Sequence, residues 1–261
     1  MSENKIFQNR VALITGGTRG IGAAICNTLA SKGCSIAFTY LSNHDKAQEL
    51  TKTCAKYGVK AHAFQLHLGN PTSLEELWKN FDLYFNKIDY LILNAATGVF
   101  KPIMELSLNS VKKVLSANFE SIFSLIPNAV KRMPFSNHNV PGNRGRIVSL
   151  SSLGAERVIQ NYGIIGASKA AMELAIKHFA FELGSIGINC NIVRAGLVIT
   201  DAIKFLANQK EIIDFTLNKT PNKKIVTVED VANVVAFLLT DEASMINGQI
   251  INVDGGYNLN A

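Results

Sequence analysis

Long apolar runs are missing from this chain. No stretch of its 261 residues approaches the ~20 consecutive apolar positions that a membrane-spanning helix needs. The opening MSENKIFQNR is polar and has no apolar core of the kind that starts a secretory leader, so a cytoplasmic location is expected. Cysteine is scarce. Cys26, Cys34, Cys54 and Cys190 form no CxxC and stand at no metal-ligand spacing from a histidine. No metal site is expected, only buried reduced thiols. There is one tryptophan and no run of five basic residues, although the net charge is +6 and the pI about 9.1. This scatter reads as a mildly basic enzyme, with neither nucleic acid nor membrane among its partners. Charged residues make up 18% against 48% hydrophobic, which excludes a disordered chain and supplies a large core. No linker, repeat or composition break appears, so a single domain is read over 1–261.

What is present is a regular alternation. Short β-branched apolar runs at 10–16, 34–40, 60–66, 88–94, 145–152, 188–193 and 249–253 read as strands. Helical patterns near 20–32, 43–57, 71–86, 107–133, 161–184 and 227–239 separate them. Runs such as VALIT and YLIL are apolar at every position, as in strands covered on both faces. The alternation predicts an α/β fold: one doubly wound Rossmann domain, about seven parallel strands with helices on both faces. Two stretches interrupt it: the polar loop 134–144 and the short helices of 199–226. The second follows a strand and is expected to lie over the ligand crevice as a lid.

VALITGGTRGIGAAI places Gly16, Gly20 and Gly22 after a strand and at the start of a helix. Glycine admits positive φ and lets a diphosphate approach the backbone. The helix start adds free N–H groups and a positive dipole end. A dinucleotide site is expected in this strand–turn–helix setting. An acidic residue ending the second strand would hold a ribose 2′-OH, as NAD requires. That place is taken by Tyr40, followed by Leu41, Ser42 and Asn43, with no carboxylate. Arg19, inside the turn, can pair with a 2′-phosphate. The expected cofactor is NADPH.

Tyr162 stands seven residues before Lys169 in NYGIIGASKAAMELA. Seven residues are about two helical turns, so the two side chains share one face. TGGTRGIG (15–22), LNAA (93–96), Asn118, Ser151-Ser152, Lys169 and INVDGG (251–256) together resemble the short-chain dehydrogenase/reductase family along nearly the whole chain. Most of that family has tyrosine four residues before the lysine, where this chain has Ile165. Tyrosine seven before the lysine resembles the enoyl-acyl-carrier-protein reductases. NAATGVFKPIMEL, SSLGAERVIQNYGIIGASKAAMEL and SMINGQIINVDGG are similar to their NADPH-dependent type III branch. The chemistry agrees with that spacing. In a ketone, charge develops on the oxygen of the carbon that receives hydride. In a 2-enoyl thioester, hydride enters at the β-carbon and charge develops on an oxygen two carbons away. Moving the phenol one turn, about 5 Å, suits the second case.

The resemblance implies further roles. Tyr162, Lys169, Ser152 and Asn118 would form the catalytic set, with Lys169 also holding the nicotinamide ribose. Gly16, Thr18, Arg19, Gly20, Ile21, Gly22, Tyr40, His67, Leu68, Asn94, Ala95, Ala195, Gly196 and Thr200 would line the cofactor. The expected reaction is reduction of the C2=C3 bond of an enoyl thioester in the synthesis of fatty acids or related acyl chains, probed against two alternatives. One is a 3-oxoacyl-thioester reductase; the other is a non-catalytic NADP(H)-binding protein. The expected partners are acyl carrier protein, to which Lys131, Arg132, Arg144 and Arg146 offer positive charge, and further copies of the chain. The resemblance implies a homotetramer or dimer built on the helices at 107–133 and 161–184.

Overall fold

Strands that are apolar at every position need cover on both faces, and these have it. A computed structural model describes residues 5–134, 145–200 and 209–259. Its strands are β1 (Val11–Ile14), β2 (Ser35–Tyr40), β3 (Ala61–Gln65), β4 (Tyr90–Leu93), β5 (Arg146–Ser152), β6 (Asn189–Ala195) and β7 (Ile250–Val253). They form one seven-stranded parallel sheet in the order β3-β2-β1-β4-β5-β6-β7. Helices α1 (Gly20–Ser31), α2 (His44–Ala55) and α8 (Val228–Leu238) cover one face. Helices α3 (Pro71–Tyr84), α5 (Ile122–Val130) and α6 (Gly163–Gly184) cover the other. Alternate strand residues divide between them: Ala12, Ile14 and Ile92 join the first core, Val11, Leu13 and Leu91 the second. Each fully buried Leu or Ile contributes about 1.5–3 kcal/mol. All strands run the same way, but successive strands are added to one side from β1 to β3 and to the other from β4 to β7, and this switch between β1 and β4 opens a crevice at their carboxyl ends.

The pattern predicts one helix over 107–133, and the structure divides it. α4 (Leu108–Leu115) gives way to a π-helical segment, Ser116–Glu120, before α5 begins. The wider turn is visible where the Ser121 N–H donates to the Ser116 carbonyl, five residues back, at 3.1 Å. It brings Asn118 into the interior. Strand ends also differ from the sequence expectation. β1 stops at Ile14 because Thr15 and Gly16 turn into the crevice, and β6 runs on to Ala195. Within the expected lid at 199–226, α7 (Gln209–Lys219) is helical and Val198 bridges Val226. Residues 201–208 of that lid, and 135–144 of the polar loop, lie outside the described residues.

Candidate active site

The glycine turn is shaped by its neighbours. Gly16 has φ +70°, and a Cβ there would stand 2.9 Å from Ala95 Cβ. A Cβ on Gly22 would lie 2.1 Å from the Gly16 carbonyl oxygen, so any side chain would push the turn from the start of α1. Arg19 caps that helix with extended backbone and makes no side-chain cap bond. The first N–H groups of α1 therefore face the crevice, a cradle suited to a diphosphate. Thr200 borders the turn, its Cγ2 being 3.2 Å from where a Gly20 Cβ would sit.

Two threonines that the sequence reading passed over hold this turn. Thr15 Oγ1 accepts from the N–H groups of Asn94 and Ala95, both at 3.0 Å. Asn94 Nδ2 returns to the carbonyls of Thr15 and Gly16 at 2.9 Å each. Thr39 Oγ1 accepts from the Gly16 N–H at 3.1 Å, and its carbonyl from that of Gly17. The end of β2 thus touches the glycine turn. Tyr40 leaves it with its hydroxyl 3.0 Å from His44 Nδ1, and Arg19 is exposed nearby in sequence to the turn. His67 and Leu68 follow β3, and the Leu66 N–H donates to the Tyr40 carbonyl, so they sit beside the end of β2. A hydroxyl directly before the first glycine was the available signal for Thr15.

At the other side of the crevice, register aligns Ser152 with Ala195 and Ala195 with Val253. Gly196 follows without a side chain because a Cβ would lie 3.0 Å from Asp254 Cα. Tyr162 caps α6, part-buried, with its hydroxyl 3.0 Å from Ser152 Oγ. Gly154 makes room for its ring: a Cβ there would be 2.4 Å from Tyr162 Cδ1. Two turns along, buried Lys169 donates from Nζ to the Leu150 carbonyl at 2.7 Å. Burial raises the Tyr162 pKa, against the Ser152 hydrogen bond, so the phenol keeps its proton at neutral pH. Burial lowers that of Lys169 to about 8, and the charge of Glu173 opposes the drop.

Ile165, one turn before Lys169, is a packing residue. It is 5% exposed and packs with Val114 and Ile164. Its Cδ1 stands where a Gly98 Cβ would be, so a side chain at 98 would have to displace the end of Ile165. Asn118 is a clamp. Its Oδ1 accepts from the Thr97 N–H at 2.8 Å, and its Nδ2 donates to the Thr97 carbonyl and Ser168 Oγ at 2.9 and 3.0 Å. Both amide protons are taken up in fixing the loop after β4 against α6. The Phe100 ring lies 5.8 Å from that of Tyr162, and Ile103, beside Gly163, is exposed.

Two of the basic residues offered to a carrier protein are otherwise engaged. Arg146 is 2% exposed at the start of β5, donating to the Gly145 carbonyl. Arg132 pairs with Asp82 at 2.6 Å and lies over the Trp78 ring. Lys131 is exposed, and Arg144 lies outside the described residues. A cavity of about 600 Å³ runs along β3 and α3 past His62, Asn70 and Tyr84. It is apart from Tyr162, and we place the chemistry in the crevice, where the polar groups converge. Among the described residues no helix is long and apolar enough to cross a membrane.

A doubly wound sheet with a diphosphate cradle at one side of its crevice, and at the other a phenol bonded to a serine hydroxyl and a buried lysine two turns along, defines a nicotinamide-dependent oxidoreductase. The chain belongs to the short-chain dehydrogenase/reductase family: the family model described as enoyl-(acyl carrier protein) reductase matches residues 16–258. It is 32% identical to the 1-cyclohexenylcarbonyl-CoA reductase of Streptomyces collinus, over 97% of this chain and 88% of that one. It is also 32% identical to the NADH enoyl-[acyl-carrier-protein] reductase of Neisseria meningitidis, over 98% and 97%. A 3-oxoacyl-[acyl-carrier-protein] reductase of Staphylococcus epidermidis is 30% identical over 95% and 98%. A Burkholderia cenocepacia short-chain dehydrogenase in complex with NADP superposes with a TM-score of 0.87 at 30% identity, covering 97% of this chain and 99% of that one.

Proposed function

We propose that this protein is an enoyl-thioester reductase that saturates the C2=C3 bond of an acyl chain in fatty acid or related synthesis, using NADPH. The observation that carries this reading is the Tyr162 hydroxyl, two turns from Lys169 and bonded to Ser152, with Ile165 buried where a ketone reductase would need its acid. The names of two relatives, one acting on a cyclohexenylcarbonyl-CoA and one on an enoyl-acyl carrier protein, support it. So does the absence of a carboxylate at the end of β2, together with Arg19, for NADPH over NADH.

Gly16, Thr18, Arg19, Gly20, Ile21 and Gly22 would hold the diphosphate and 2′-phosphate. Tyr40, His67, Leu68, Asn94 and Ala95 would border the adenosine, and Ala195, Gly196 and Thr200 the nicotinamide. What the reduced nicotinamide supplies, when bound, is a hydride for C3 of the substrate. Negative charge then collects on the thioester oxygen. Tyr162 donates a hydrogen bond to that oxygen, and Ser152 orients the phenol. Lys169 contributes positive charge beside it and holds the ribose. A proton delivered to C2, from Tyr162 or through it, completes the reduction. Asn118 serves by fixing Thr97 and Ser168 at the edge of the site. The described part of the expected lid, residues 209–226, would lie over the acyl chain, with Phe100 beside Tyr162 bordering it. We further propose a cytoplasmic homo-oligomer, dimer or tetramer, that receives its substrate from acyl carrier protein.

NADPH consumption with crotonyl and acetoacetyl thioesters, measured side by side, tests the reading. Crotonyl turnover alone upholds it. Acetoacetyl turnover alone replaces it with ketone reduction. NADPH binding with neither turnover favours a binding protein.

A further inference from the structure

Lys169 is not the only buried charge behind the site. Glu173 lies one turn further along α6, 6% exposed, and no step proposed above uses it. Its carboxylate is held from two strands. Ser151 Oγ, on β5, donates to Oε1 at 2.6 Å. Arg194, on β6, donates from Nε to Oε1 at 3.1 Å and from Nη2 to Oε2 at 2.7 Å. Arg194 reaches Glu156, in the turn after β5, with its other nitrogen. A fork of this kind is the strongest geometry available to a carboxylate. Such a group is costly to keep in an apolar interior. It joins β5, β6 and α6 next to Ser152, Ala195 and Lys169.

We propose that Glu173, locked by Arg194 and Ser151, is a positioning residue that keeps the Lys169 ammonium charged and directed at the Leu150 carbonyl and the cofactor ribose. The inference rests on Lys169 serving the nicotinamide end. Helical neighbours four apart stand within about 6 Å, close enough for one charge to stabilise the other in a dry interior. The groups facing Lys169 are few. Its own helix carries Glu173, whose charge acts on it, and behind Glu173 stand Arg194 of β6 and, bonded to Arg194, Glu156 of the turn after β5. Among the described residues, the end of β5 contributes Ser151 and Ser152 and the π segment contributes buried Asn118, none of which titrates near neutrality. Glu173 is thus the carboxylate within reach of the lysine, and Arg194 sets how much of its charge the lysine feels.

The test is the pH dependence of NADPH affinity, followed by fluorescence from about pH 6 to pH 10, with NADPH oxidation as a second readout. In the unaltered protein both should fall as pH rises through about 8, as the lysine loses its proton. Glu173→Gln should move that fall about one pH unit lower, which leaves binding about fivefold weaker at pH 8 and about tenfold weaker at pH 9 and above. Glu173→Asp should restore most of it. Arg194→Gln, which unmasks the carboxylate, should move it the other way. Melting curves identify the variants that fold. A fall that stays in place in every folded variant, while Lys169→Met abolishes turnover, overturns the role of Glu173. Unchanged affinity and turnover in Lys169→Met overturn the reading of Lys169 itself.

Discussion

Two residues one turn apart on the same helix carry opposite duties. Tyr162 sits at the mouth of α6 with a polar partner, whereas Ile165 is a packing residue against Gly98. Tyr162→Phe should lower enoyl reduction about 10²–10³-fold, the usual loss of one donor to a developing oxyanion, with NADPH affinity unchanged. Steady-state kinetics beside cofactor titration check it; near wild-type turnover removes Tyr162 from the chemistry. Lys169 invites the opposite measurement. Its folded pKa, about 8, lies below the 10.5 of a free lysine, so the unfolded chain binds the proton more tightly. Burying the charge therefore costs stability in full below pH 8, about 3 kcal/mol, and the cost fades as pH rises towards 10.5. Lys169→Met should stabilise the fold by a similar amount at pH 7 while removing turnover. Urea unfolding at pH 7 and pH 10 would read a gain that shrinks at the higher pH.

Among the elements, the π segment between α4 and α5 matters most to the site. It aims Asn118 at Thr97 and Ser168, coupling the loop after β4 to α6. Asn118→Ala leaves the part-buried Thr97 N–H and carbonyl and the buried Ser168 hydroxyl without this partner, which should cost about 1–3 kcal/mol. It should also lower turnover more than it weakens NADPH binding; equal losses in both would mean the clamp serves the fold alone. The resemblance singled out Asn118, but the π segment that places it was not legible in the chain. The apolar periodicity of 107–133 runs on unbroken, and a single extra residue in the turn leaves no trace in it. α6 was different. The Tyr162–Lys169 spacing fixed their shared face once the helix was read, because that relation is local.

At the scale of the whole molecule, seven strands and their parallel order follow from apolar runs alternating with helical patterns, since only cover on both faces permits such runs. The links between strands did not follow. Thr15 with Asn94 and Glu173 with Arg194 are separated by 79 and 21 residues and meet only after folding. Cofactor binding acts on the same scale, because the cradle and the phenol come from opposite halves of the sheet. NADPH at about a hundred times its dissociation constant should stabilise the fold by ~2.7 kcal/mol and raise the melting midpoint by about 5–10 °C. NADH at equal concentration should raise it less, and Arg19→Ala should erase the difference. Differential scanning fluorimetry reads both; equal shifts in the unaltered protein would mean Arg19 does not read the 2′-phosphate.

All four cysteines are buried, and burial pushes the thiols of Cys54 and Cys190 up to about 11 and about 12. A buried thiol with so little thiolate is a poor nucleophile towards maleimides. The native protein therefore offers a silent background for spectroscopic labelling, with no need to strip its own cysteines first. Val158, wholly exposed in the turn leading to Tyr162, is the natural anchor for a probe. A dye on a Val158→Cys variant would report the arrival of an acyl chain by its change in emission, with the core packing around Cys26, Cys34 and Cys54 untouched.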